Sequence, residues 1–172
     1  RNRLFFFNQI TQWKRPPGLY FNFENGTYGD WESTGEAFGS RPANGAFASQ
    51  RSIHGYEGNY LINSFYDGSD RPTGALISPS FIIPGNRMDF YIGGGDDLDH
   101  VYLALRVANQ EVLRETGDRS ETLRPVSWDV TPWAGKQARI QIVDRSSDPW
   151  GHILVDDIRL YAREVGSASR SQ

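Results

Sequence analysis

Val101-Tyr102-Leu103-Ala104-Leu105-Arg106-Val107 puts an aliphatic side chain at every odd position. Successive side chains of a strand leave opposite faces of a sheet, so this stretch reads as a strand with one apolar face. Ala138-Arg139-Ile140-Gln141-Ile142-Val143-Asp144 repeats the pattern, with Ala138, Ile140 and Ile142 on one side and Arg139 and Gln141 on the other. Working outward, further strands are predicted over 20–24, 60–65, 74–77, 80–83, 88–92, 111–116, 126–130 and 153–161. Asn25-Gly26, Asp67-Gly68, Pro84-Gly85, Gly93-Gly94-Gly95 and Ala134-Gly135 supply turns between them. No long amphipathic helix competes. Short strands at this spacing predict an all-β fold, an antiparallel β-sandwich of the jelly-roll kind.

The composition agrees. Aromatic residues make up 13% of the 172, and 18 are glycine, a pairing that suits short strands and tight turns. The net charge of -3 excludes the clustered basic footprint of a nucleic-acid binder. With no cysteine, disulfides, thiolate zinc sites and cysteine nucleophiles are excluded. No run of about 18 apolar residues is present to span a membrane. A chain that opens at Arg1 without Met is expected to be a processed product or an excerpt of a longer one.

Three parts are expected. Residues 1–18 form an arm with the apolar run Leu4-Phe5-Phe6-Phe7 and then Trp13, closed by Pro16-Pro17-Gly18. The arm either packs on its own domain or docks on a partner. Residues 19–163 form the sandwich, and 164–172, small and polar, a frayed tail.

Catalytic constellations are wanting. His54, His100 and His152 show no metal-ligand spacing, and neither a nucleophile elbow nor a phosphate loop occurs. Gly93-Gly94-Gly95 opens no helix, so it is no dinucleotide fingerprint. The pairs Asp96-Asp97 and Asp156-Asp157 are adjacent, whereas a glycosidase needs two carboxyls facing each other across a bond.

An ordered series of motifs carries a resemblance. It opens with Phe23-Glu24-Asn25-Gly26-Thr27-Tyr28-Gly29-Asp30-Trp31 and Thr34-Gly35-Glu36-Ala37-Phe38-Gly39. It continues through Gly55-Tyr56-Glu57-Gly58, Leu61-Ile62-Asn63-Ser64-Phe65 and Leu76-Ile77-Ser78-Pro79-Ser80-Phe81. It closes with Ser127-Trp128-Asp129-Val130 and Trp150-Gly151-His152-Ile153-Leu154-Val155-Asp156-Asp157-Ile158. From Phe21 to about Leu160 the series resembles the sandwich module attached to bacterial levanases, carbohydrate-binding module family 66. The resemblance implies a galactose-binding-like jelly roll, recognition of terminal fructose units of levan, a polysaccharide (fructan) partner, no catalysis, and an extracellular or periplasmic bacterial setting.

A sugar site needs planar polar groups for neighbouring hydroxyls and an aromatic face for the ring. Glu36 is either such a contact or a cap on a neighbouring loop. Arg114 either forks onto hydroxyls or pairs on the surface with Glu115 or Glu121. Trp150 stacks on a sugar or closes the core, and His152 donates to a hydroxyl or is structural. Tyr56 and Asn63 are further candidates, Asn63 alternatively as a buried amide pinning two loops. Trp31, Trp128 and Phe65 read as core. Glu24 with Asp156 and Asp157 resembles the structural calcium site of jelly-roll sugar modules, whose hard oxygen donors suit that ion. Otherwise Glu24 caps a turn and one aspartate is buried and hydrogen-bonded.

These readings predict a carbohydrate-binding module of weak affinity, on the order of 10 µM to 1 mM. The alternative is a structural accessory subunit of a larger extracytoplasmic assembly, docking through Leu4, Phe5, Phe6, Phe7 and Trp13. A hydrolase fragment is the third class.

Overall fold

The computed structural model describes residues 18–162. The arm with Leu4 to Phe7 and Trp13, and the tail, lie outside the described residues.

Eleven strands form in chain order: β1 (Leu19–Phe21), β2 (Glu32–Gly35), β3 (Ile62–Asn63), β4 (Gly74–Ile77), β5 (Phe81–Ile82), β6 (Arg87–Gly94), β7 (Val101–Val107), β8 (Gln110–Glu115), β9 (Ser120–Asp129), β10 (Gln137–Asp144) and β11 (Ile153–Tyr161). One sheet runs β1-β11-β6-β9, with β3 also on β11; the other runs β2-β4-β10-β7-β8, with β5 also on β10. All these pairings are antiparallel. The result is the expected β-sandwich.

The alternating runs put their apolar sides between the sheets. Val101, Leu103, Leu105 and Val107 meet Ala138, Ile140 and Ile142 in one core with Met88, Phe90, Ile92, Ile153 and Val155 from the opposite sheet. Trp31 closes this core at one margin, edge-on to Phe21 at 5.1 Å, and Trp128 packs on Phe90 at 4.8 Å. Phe65 departs from its core reading: half-buried, it stands edge-on to His152 at 5.0 Å.

β1 stops at Phe21 rather than 24, β3 keeps only Ile62–Asn63 of the expected 60–65, and two further strands depart more tellingly. All four residues of β2, Glu-Ser-Thr-Gly, are exposed, so this sheet-edge strand has no apolar alternation to betray it. β9 starts at Ser120 rather than 126 and runs through Pro125. As the other sheet's edge, it tolerates a residue that cannot donate to a ladder.

The outer face of the five-stranded sheet is half covered. A long connection lays Ala43, Ile53 and Leu61 over Leu123 and Leu154, a second apolar cluster that Tyr56 and Tyr91 border. The triple glycine is explained here by packing. A Cβ on Gly95 would lie 2.0 Å from the Trp150 carbonyl oxygen, and one on Gly94 2.4 Å from that of His152. The close approach brings the 150–152 turn onto the end of β6.

Candidate functional site

Asn63, Trp150 and His152 come together at one end of the sandwich, where β3 pairs with β11. His152 is 3% exposed. Its Nδ1 donates to Asp70 Oδ1 at 2.6 Å and its Nε2 to Glu121 Oε1 at 3.1 Å, so the ring is a doubly donating imidazolium between two carboxylates. Burial opposes that charge, but the hydrogen bonds and negative charges of Glu121 and Asp70 prevail and raise its pKa above the ordinary value. Trp150 stacks on the imidazole at 5.6 Å, and its backbone N–H donates to Asp70 Oδ2 at 3.1 Å.

The network continues through a glutamine. Gln50 Nε2 donates to Glu121 Oε2 at 3.3 Å, while Asn63 Nδ2 donates to Gln50 Oε1 at 2.8 Å and to the Gly45 carbonyl at 3.3 Å. Asn63 Oδ1 accepts the Phe65 N–H at 3.0 Å. These partners match the structural alternatives held open for two sugar candidates. Both nitrogens of His152 and both polar atoms of Asn63 are taken by protein partners, so these side chains brace loops. Asn63 is the buried amide of the alternative reading. Asp70, Glu121 and Gln50 carried no signal in spacing, because two separate loops and the start of β9 bring them together. Tyr56 is half-buried beside the second cluster.

Glu36 and Arg114 do not share a site. Glu36 follows β2 and Arg114 lies in β8, at opposite edges of a five-strand path, about 19 Å apart at the usual strand spacing. Glu36 is exposed, and its side chain has no hydrogen-bond partner among the described residues. Its backbone N–H is pinned to the Thr73 carbonyl at 2.9 Å. The Arg114 guanidinium is engaged: Nε donates to Glu111 at 2.5 Å, an Nη to the Leu98 carbonyl at 3.1 Å, and the group lies 4.0 Å over the Tyr102 ring. Its ion pair is thus with Glu111, not with Glu115 or Glu121.

The residues expected to hold calcium do not fit the ion as placed. The Glu24 carboxylate accepts the N–H groups of Asn59 at 2.9 Å and Tyr60 at 3.1 Å, the turn-capping role of the alternative reading. Asp157 accepts the Tyr20 hydroxyl and pairs with Arg159 at 2.8 Å, so a guanidinium supplies the positive charge there. Asp156 takes the Glu57 N–H at 2.8 Å on one oxygen, and its other oxygen is buried without a partner. Burial pushes its pKa up to about 7, with help from the charges of Asp157 and Glu24. Among the described residues, no three His, Asp or Glu side chains are grouped to hold a metal ion.

Against known proteins, no family model matches the chain. Over 128 residues it is 38% identical to a protein named putative glycosyl hydrolase ecdE from Aspergillus rugulosus. The alignment takes in 74% of this chain and 18% of that protein, so the chain spans less than a fifth of its curated relative. Among solved structures, the K1 cleaved adhesin domain of Lys-gingipain from Porphyromonas gingivalis superposes with a TM-score of 0.57. Identity there is 22%, over 84% of this chain and 98% of that one. TmCBM61 in complex with β-1,4-galactotriose gives a TM-score of 0.53 at 18% identity, over 83% of this chain and 94% of that one. These likenesses establish the sandwich fold. No helix among the described residues is long and apolar enough to cross a membrane.

Proposed function

We propose that this sandwich is a non-catalytic carbohydrate-binding module that works outside the cell. The observation that carries the reading is its recurrence, at 38% identity, as a segment amounting to 18% of a much longer protein named as a glycosyl hydrolase. A module of that kind holds a larger protein against its polymer. The sugar complex of TmCBM61 shows what this architecture can support. The relative that favours the reading is fungal, so a bacterial source is no part of the proposal.

The ligand we propose is the end unit of a fructan of the levan type, met at the loop end by Glu36. Its free carboxylate stands on a backbone pinned to Thr73, a fixed acceptor for neighbouring hydroxyls. The bracing network around His152 makes that end rigid, which lowers the ordering cost of binding. Titration calorimetry with levan, inulin, β-1,4-galactan and fructose tests it. Heat with levan is expected, with Glu36→Ala abolishing it at an unchanged melting temperature and Arg114→Ala leaving it intact. Heat with galactan alone would keep the module and move the ligand. Silence with every sugar would remove the reading. It would favour an adhesin-like interaction domain, which the superposition on Lys-gingipain adhesin domains supports.

A further inference from the structure

The uncovered half of the outer face of the five-stranded sheet carries a second polar and aromatic surface, far from Glu36 in sequence and built on the opposite sheet. Register makes it. Tyr20 pairs with Arg159, Arg159 with Asp89, and Asp89 with Ser127, so one row crosses all four strands β1, β11, β6 and β9. At the usual strand spacing the row is about 14 Å long, more than one sugar ring needs. Tyr91 and Tyr161 flank it, each two residues along its strand and therefore on the same face. A cavity of about 390 Å³ lies here, lined by Asp89, Tyr91, Ser127, Arg159 and Tyr161 among others. That is within the range of small-molecule sites.

The polar groups are held in place before any ligand arrives. Arg87 Nε donates to both Asp89 oxygens at 2.9 Å and its guanidinium lies 4.7 Å over the Tyr161 ring. Ser127 donates to Asp89 Oδ1 at 2.7 Å, and Arg159 donates to the Tyr20 hydroxyl at 3.2 Å. Each arginine has five N–H donors, more than these bonds use. The charges cancel, Arg87 and Arg159 against Asp89 and Asp157, and the acidic Asp129 stands opposite Arg87 in the β6–β9 register, at the margin. A net-neutral groove with acid at its rim suits neither an anionic polymer nor a polycation.

We propose that this groove binds the interior of a neutral polysaccharide chain, in addition to the loop-end contact at Glu36. The proposal rests on the carbohydrate-binding reading. Planar arginine and carboxylate groups bond neighbouring hydroxyls along the row, and the tyrosine rings take the C–H faces of successive sugars. Its occupant is a chain rather than a single residue, because the row is open across the full width of the sheet.

Affinity electrophoresis of the full chain in gels containing levan, inulin, β-1,4-galactan or polygalacturonate tests the groove. The variants are Arg87→Ala with Tyr161→Ala, Tyr161→Phe, Ser127→Arg to fill the groove from an exposed position, and Glu36→Ala. Binding to at least one neutral polymer should fall roughly tenfold, one hydrogen-bonding and stacking contact's worth, in the double variant and in Ser127→Arg. Tyr161→Phe, which keeps the ring, should bind as the parent does. A melting temperature within a few degrees of the parent in both variants separates loss of binding from loss of fold. If both bind like the parent while Glu36→Ala does not bind, the groove assignment falls and the module reading stands. Retardation by polygalacturonate alone overturns the neutral assignment. No retardation in any gel overturns both.

Discussion

The loop end around His152 and the open face along Arg159 and Asp89 use the same materials, aromatic rings beside arginine, histidine and carboxylate, and treat them oppositely. At the loop end every polar atom of His152 and Asn63 is spent on protein partners, and the imidazole is 3% exposed. On the face, Arg87 is 54% exposed along its side chain and Tyr20 40% exposed overall, with donors left over. Residues that look chemical in sequence can be scaffolding. A surface able to bind can be assembled from residues that look like ordinary strand positions.

The comparison breaks most easily at His152. Removing it as His152→Ala leaves the half-buried carboxylates of Asp70 and Glu121 without their shared, buried cation. Breaking such a buried charged network costs about 3–5 kcal/mol. For a domain of this size that is on the order of 10 °C in melting temperature. Arg87→Ala on the open face, where exposed pairs contribute about 0–1 kcal/mol, should shift the melt by a few degrees at most. Differential scanning calorimetry of the two variants decides it; equal shifts would erase the distinction between brace and groove.

How much of this was legible follows the same line. Ala138 to Asp144 and Val101 to Val107 declared their faces because burial on one side imposes period two, and the core followed. β2 was invisible because Glu32-Ser33-Thr34-Gly35 buries nothing. The motif Trp150-Gly151-His152 left a sugar contact and a structural histidine both open, since Asp70 and Glu121 reach His152 only through the fold. The open face left no trace at all: Tyr20, Asp89, Ser127 and Arg159 become neighbours only once three strand registers are known.

A smaller effect sharpens the brace through pH. Asp144 and Asp156 are buried, and burial pushes each pKa from an ordinary 3.8 up to about 7. The folded state therefore holds protons that the unfolded chain has lost between roughly pH 4 and 7, so stability falls as pH rises through that window. His152, also raised, adds stability that is full below its ordinary 6.5 and is lost as pH climbs past its folded value. All three push the same way. The melting temperature should decline from pH 5 to pH 8.5. Asp156→Asn should flatten the decline below pH 7, and His152→Gln should flatten the part above it. A melting temperature that rises steadily over this range would contradict the burial assigned to these groups.

The smallest expected effect is a null one, and it tests the boundary between the two regions. Asp157 sits at a β-bulge, where the register slips between Asp156 and Arg159 and its own φ is +56°. The bulge lets Arg159 fold back onto Asp157 at 2.8 Å, and Glu24 turns away to cap the Asn59 and Tyr60 N–H groups. A calcium ion there would have to displace a guanidinium and gather carboxylates already engaged elsewhere. A ligand that binds only the folded state raises the melt by mass action, so chelation is a direct probe. Melts in EDTA and in millimolar calcium should coincide for the parent chain. Arg159→Gln, which removes the resident cation, should lower the melting temperature and leave Asp157 without its ion pair. If calcium then restores the lost stability in this variant but does nothing for the parent, the arginine occupies the place an ion would take. If calcium already stabilises the parent, the Arg159–Asp157 pair opens in solution, and the edge of the open face is built on a metal instead.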